Sequence, residues 1–225
     1  MVSSPPTTSK DLLDKLEVRV VIFSLRDNSL QALLARSSNN SAWELPGVPI
    51  QIDQSLEEAA SQCLSHFIGL REAYLEQLYT YGHPQRDPSA RLISVVYFAI
   101  IPANTVTLPA GHAQACWFSI DALPELILDH SEIIGYALRR LRYKLEYTAV
   151  GFELLPEFFS LTELQQTYEL ILGEKLDKRN FRRRILQAGV IEPTQQSRSS
   201  EGRPARLYRY RPDAVAEVQA RRLFP

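Results

Sequence analysis

The chain's 225 residues are 45% hydrophobic and 23% charged, with 14 Pro and 9 Gly; the length favours two packed domains, and the composition excludes disorder, collagen and low-complexity arrays. Two cysteines, Cys63 and Cys116, and four scattered histidines supply neither a disulfide framework nor a metal-ligand spacing, which predicts a reduced, cytoplasmic protein without structural zinc. The formal net charge of −1 hides an asymmetry: between Lys175 and Arg211 eleven Lys and Arg face three Asp and Glu, leaving +8 there and −9 elsewhere.

Met1 to Lys10 lacks the apolar core of a signal peptide, and residues 1–15 read as a flexible polar leader. Apolar runs reach about ten residues, half of a membrane span. Leu16 to Leu25 and Leu30 to Arg36 are aliphatic runs around Arg26-Asp27-Asn28-Ser29, which predicts a hairpin. Trp43 to Gly47 leads to Ser55, which with Glu58 forms a capping box; Leu56, Ala59, Ala60, Cys63, Leu64 and Phe67 then recur at helical spacing up to Gly69. Strands are expected at Leu75 to Tyr81, Arg91 to Ile101 and Gln114 to Ser119, followed by a helix from about His130 to Leu145. This is an α/β domain over residues 16–148.

The pattern changes at Ser160. Ser160 and Glu163 make a second capping box for a helix to about Leu172, and Gly173 can cap its end. Asp177 caps a basic helix from Lys178 to Ala188, which stops at Gly189. Val190-Ile191 and Leu207 to Tyr210 are strand-like and flank a polar loop, Glu192 to Ala205. Helix, turn, basic helix and a basic wing predict a winged helix-turn-helix domain over residues 149–225 that binds double-stranded DNA.

Phe181, Ile185 and Ala188 share one face of the basic helix, while Lys178, Arg179, Arg182 and Arg183 project elsewhere. A guanidinium-rich face suits the major groove, and the amide of Asn180 suits an adenine edge. Arg198, Arg203 and Arg206 of the wing are placed to reach the backbone or the minor groove.

Leu45-Pro46-Gly47 through Gly69-Leu70 resembles the Nudix box in spacing. The residue types differ: the box's second glycine falls on Val48, its loop glutamate on Gln54, its arginine on Gln62, and its helix glutamates on Cys63, His66 and Phe67. Nudix hydrolases use those carboxylates to hold Mg²⁺, because a hard cation requires oxygen ligands, so no catalytic residue and no metal site is expected here. Beside a diphosphate-type pocket, Arg86, Asp87 and Arg91 in the 82–91 loop could grip phosphate or ribose, and Arg36 could contact phosphate. Trp43 and Tyr97 could stack on a base. The 82–91 segment fits a polar turn equally well, and both aromatics fit a core.

Asp129 to Leu145, Phe159 to Tyr168, Leu176 to Arg184 and Gly202 to Tyr208 resemble segments of the Nudix-related transcriptional regulators of NAD metabolism in bacteria, the NrtR family. The resemblance implies a Nudix-like mixed-sheet α/β/α domain followed by the winged helix. It further implies an ADP-ribose-like effector with no other cofactor, and a homodimer that represses from a palindromic operator. Two alternatives remain: an active Nudix hydrolase with an accessory nucleic-acid-binding domain, and a first domain that is only a dimerisation scaffold.

Overall fold

A computed structural model of the chain describes residues 16–36, 42–102, 106, 115–147, 149–198, 204–211 and 214. The leader, residues 1–15, lies outside them. Two compact units emerge. One holds the described residues of Met1–Phe23, Gln31–Ile100 and Val106–Ala137; the other holds those of Ser24–Leu30, Ile101–Thr105 and Leu138–Pro225. Among the described residues no helix is long and apolar enough to cross a membrane.

Strands β1 (Leu16–Arg26) and β2 (Ser29–Arg36) meet at Asp27 and Asn28, whose φ values of 48° and 57° give the two left-handed positions of a type I′ turn. With β3 (Trp43–Glu44), β4 (Gly47–Pro49), β5 (Tyr74–Tyr81), β6 (Ile93–Ile101) and β7 (Ala115–Ser119) they form one sheet. The order is β3-β2-β1-β6-β5, with β4 also on β1 and β7 on β2. Strand β6 is an almost unbroken apolar run, ISVVYFAII, buried along nearly its whole length, as a central strand covered on both faces must be.

Helix α1 (Leu56–Ile68) starts at the Ser55–Glu58 capping box and ends at Gly69, whose φ of 72° only glycine adopts readily. It buries Ala59, Ala60, Cys63, Leu64 and Ile68; Ile68, and not Phe67, completes the apolar stripe. Gly47, next to the box, is needed for a steric reason. A Cβ there would lie 2.4 Å from Cδ of Arg19, and Arg19 cannot swing away because Glu17, Glu44 and the Leu45 carbonyl hold it. Gly47→Ala should therefore cost about 1–3 kcal/mol of stability by urea unfolding; an unchanged midpoint would refute the steric account.

Helix α2 (His130–Tyr147) buries Ile133, Ile134, Ala137, Leu141 and Leu145 at spacings of three and four, and the division between the two units falls within it. A short 3-10 helix, Ala149–Leu154, follows and was not evident from periodicity. Helices α3 (Leu161–Leu172) and α4 (Lys178–Ala188) carry the expected caps at Ser160, Gly173, Asp177 and Gly189. Leu164, Tyr168, Ile171, Phe181, Ile185 and Leu207 form their shared core. Strands β8 (Ile191–Arg198) and β9 (Ala205–Tyr210) then pair antiparallel. The expected loop Glu192 to Ala205 is thus strand as far as Arg198. Ladder hydrogen bonds carry a polar sequence into β8, where side-chain pattern gives no signal.

Candidate functional site

Helix α4 sorts its cations by where its apolar anchor points. Phe181 and Ile185 are buried, which leaves Arg179, Asn180, Arg183, Leu186 and Gln187 exposed on the outward side. Leu186, 49% exposed, lies at the edge of that face, although an apolar residue in a basic helix reads as core from sequence. Lys178 is also exposed, at the first turn. Arg183 donates to Oδ1 of Asn180 at 3.1 Å, so the amide oxygen already holds one hydrogen bond within the helix.

Two predicted DNA contacts have partners within the protein. Arg182 is half-buried and donates to Oγ1 of Thr162 on α3 at 3.0 Å, tying the two helices together. Arg198 pairs with Glu163 and donates to the Phe158 carbonyl at 3.2 Å. Arg206 is exposed on β9 opposite Ser197, and Arg203 lies outside the described residues. Arg209 is paired with Glu192.

In the first unit, Arg36 and Trp43 are cross-strand partners, and the guanidinium sits 4.4 Å from the indole centroid. Trp43 packs its edge on Phe118 at 4.7 Å and lines a cavity of about 380 Å³ with Pro124, Glu125, Leu126 and Ile127. Tyr97 is core: it is 2% exposed and donates to Glu57 at 3.0 Å, and burial together with that carboxylate pushes its pKa up to about 12. Glu57, in the first turn of α1, is thereby tied to the core. Asp87 accepts from both N–H and Oγ of Ser89, bonds that hold its carboxyl below the usual range. Arg91 is exposed and donates to the Gly82 carbonyl.

Arg86 is placed differently from an open phosphate-gripping residue. Its side chain is 3% exposed; Nε and Nη2 fork onto Asp129 at 2.9 and 2.6 Å, and Nη1 donates to Ser94 Oγ. Ser94 in turn donates to Glu17. Glu17 pairs with Arg19, and Arg19 donates to Glu44 and to the Leu45 carbonyl. His130, next to Asp129, closes the ring: its Nδ1 accepts the Leu45 N–H at 3.1 Å. Sequence patterning offers one trace of this network, since Glu17 and Arg19 interrupt the apolar run Leu16 to Phe23 of β1 on alternate positions.

Burial, reinforced by the positive charge of Arg19, pushes the His130 pKa down to about 4. Its ring is therefore neutral, as an Nδ1 acceptor requires. Unfolding lets the ring take up a proton below its ordinary value of 6.5, so stability should fall as pH drops from about 6.5 to about 4, by an amount on the order of 3 kcal/mol. His130→Asn should flatten that slope in denaturation curves taken across this range. A slope equal to the parent's would place its origin elsewhere.

At the positions of the Nudix carboxylates, Gln54 donates to Oε1 of Gln62 at 2.7 Å, a neutral pair. Cys63 is fully buried, which pushes its thiol up to about 12, and His66 packs edge-on against Phe67.

Residues 15–141 match the NUDIX domain, and residues 151–210 match the NrtR DNA-binding winged helix domain. The chain is 39% identical over 203 residues to the ADPR responsive transcriptional repressor NtrR of Acinetobacter baylyi, covering 87% of this chain and 81% of that protein. The crystal structure of Shewanella oneidensis NrtR complexed with a 27mer DNA superposes with a TM-score of 0.81 at 33% identity, covering 92% of this chain and 96% of that one. An ADP-ribose pyrophosphatase of Methanocaldococcus jannaschii is 29% identical over 117 residues, 51% of this chain and 68% of that protein. With both domains matched in order along nearly the whole chain, this protein belongs to the NrtR family of Nudix-domain, winged-helix transcriptional regulators.

Proposed function

We propose that this protein is a repressor of NAD-metabolism genes that binds operator DNA through its winged helix and senses ADP-ribose, or a nucleotide of the same chemistry, through a Nudix-like domain that does not hydrolyse it. Residues 16–148 form the sensing part and 149–225 the DNA-binding part of this cytoplasmic protein. The observation that carries the reading is α4: an apolar anchor on Phe181 and Ile185 turns Arg179, Asn180 and Arg183 outward together. A 39% identical relative described as ADPR responsive supports the effector. Arg36, Trp43, Asp87 and Arg91 are the residues proposed to meet it, with Arg86 holding the 82–91 loop that carries the last two. Lys178 and Arg206 are proposed to meet DNA phosphates, and Arg203 belongs with them as a wing residue. Arg182 and Arg198 position the helix and the wing.

The side chains at the box do not fit the Mg²⁺ of Nudix hydrolases. A buried thiol raised to about 12 and a phenyl ring supply no oxygen donors. The likeness to a pyrophosphatase favours hydrolysis as the second reading, and one experiment separates the two. A duplex selected from random sequence by the full-length protein is titrated with and without ADP-ribose, alongside a Mg²⁺-dependent pyrophosphatase assay. Operator affinity that changes with ADP-ribose, with no turnover above background, is expected; chelator-sensitive turnover would overturn the reading. As a homodimer, the protein should select half-sites about 10 bp apart or a multiple of that.

A further inference from the structure

The 126–130 stretch, which ends on the first residue of α2, is fastened both to the Trp43–Leu45 segment and, through Arg86, to the 82–91 loop. Ile127 N–H donates to the Trp43 carbonyl at 3.0 Å, and Leu126 forms a parallel bridge with Trp43. Asp129 takes the fork of Arg86, and His130 takes the Leu45 N–H. Between these anchors Leu128 holds a φ of 49°, a left-handed conformation disfavoured for leucine, with its side chain 40% exposed. Strain persists only where the surroundings impose it. Here both neighbouring positions are pinned.

We propose that the 126–130 stretch transmits ligand occupancy, with Asp129 and His130 as its positioning residues: a ligand that shifts the Arg86 loop or the Trp43–Leu45 turn resets the start of α2. This rests on the sensing reading given above. The anchors are an ion pair and a single imidazole hydrogen bond, contacts that are made or broken and so favour two discrete arrangements. Helix α2 is continuous from His130 to Tyr147 and carries residues of both units, so its first turn is the covalent start of the path to the winged helix. A ligand biases that path only as far as it binds one arrangement better than the other.

The test uses full-length Asp129→Asn, His130→Leu and His130→Asn. ADP-ribose affinity is measured on each free protein, and affinity for the selected duplex is measured with and without saturating ADP-ribose. In Asp129→Asn and His130→Leu the ratio of the two duplex affinities should fall at least about threefold, while effector-free duplex binding stays within about twofold of the parent; ADP-ribose affinity should stay within about twofold in His130→Leu, and in Asp129→Asn, which also loosens the Arg86 loop, should fall by less than the ratio does. His130→Asn, whose Oδ1 can accept the Leu45 N–H, should keep the parental ratio. His130→Leu fills a fully buried position with an apolar side chain of similar size, so it supplies a folded variant should Asp129→Asn melt early. Parental ratios in Asp129→Asn and His130→Leu would overturn the proposal, as would a loss of ADP-ribose binding that accounts for the lost response. A parent protein whose duplex binding ignores ADP-ribose would overturn the sensing reading and this proposal with it.

Discussion

Replacing Arg179 and Arg183 together by alanine is expected to weaken operator binding by about 2–6 kcal/mol, because each lost base contact costs about 1–3 kcal/mol. Both side chains are exposed on the outward face of α4, opposite Phe181 and Ile185. Where one of them meets a phosphate and not a base, the slope of log affinity against log salt should fall by about one. Arg182→Ala is the internal contrast. Its guanidinium bonds Thr162 and is half-buried, so its loss should lower the melting temperature more than it lowers DNA affinity. Glu163→Ala removes both a cap and the partner of Arg198, and its effect should again appear in stability first. Unchanged operator affinity in a folded Arg179/Arg183 double mutant would show that α4 is not the reading helix.

Arg86→Ala should destabilise the first unit by about 3 kcal/mol, the cost of removing one partner from a largely buried ion pair. The arginine is 3% exposed but Asp129 is 22% exposed, so water can partly solvate the orphaned carboxylate, and the value should sit at the low end of such losses. Burial alone would raise the Asp129 pKa; the hydrogen bonds and charge of Arg86 outweigh it and hold the carboxyl below its ordinary value. A carboxylate depressed by folding stabilises the protein above its unfolded pKa of about 4, and that contribution disappears as pH falls through the lower folded value. Arg86→Ala should therefore cost most at neutral pH, and the gap between parent and variant should narrow below pH 4. Arg86→Lys keeps a charge but not the planar fork, and should recover only part of the loss. A gap between Arg86→Ala and parent that is the same at pH 3 and pH 7 would exclude the ion pair as its source. A weakened ADP-ribose response in Arg86→Ala would then report damage to the loop together with any lost contact, whereas Arg91→Ala, exposed and held only through the Gly82 carbonyl, tests ligand contact more directly.

Much of the molecule was legible in the sequence because its signals are local. The type I′ turn at Asp27-Asn28, the capping boxes at Ser55 and Ser160, the Asp177 cap and the glycine stops at 69, 173 and 189 each depend on residues within one helical turn or hairpin. The absence of carboxylates at Gln54, Cys63, His66 and Phe67 needs only the box spacing. What stayed hidden depends on partners far along the chain. Arg182 and Arg198 look like further DNA contacts until Thr162 and Glu163 come beside them. Arg86 looks like a phosphate ligand until Asp129 and Ser94 take its donors. A guanidinium has five donors and no sequence mark of which oxygens will accept them, so the basic helix was written in composition and periodicity, while the choice between gripping DNA, ligand or the protein's own carboxylates was made only when folding brought β1, β6, the 82–91 loop and the start of α2 together.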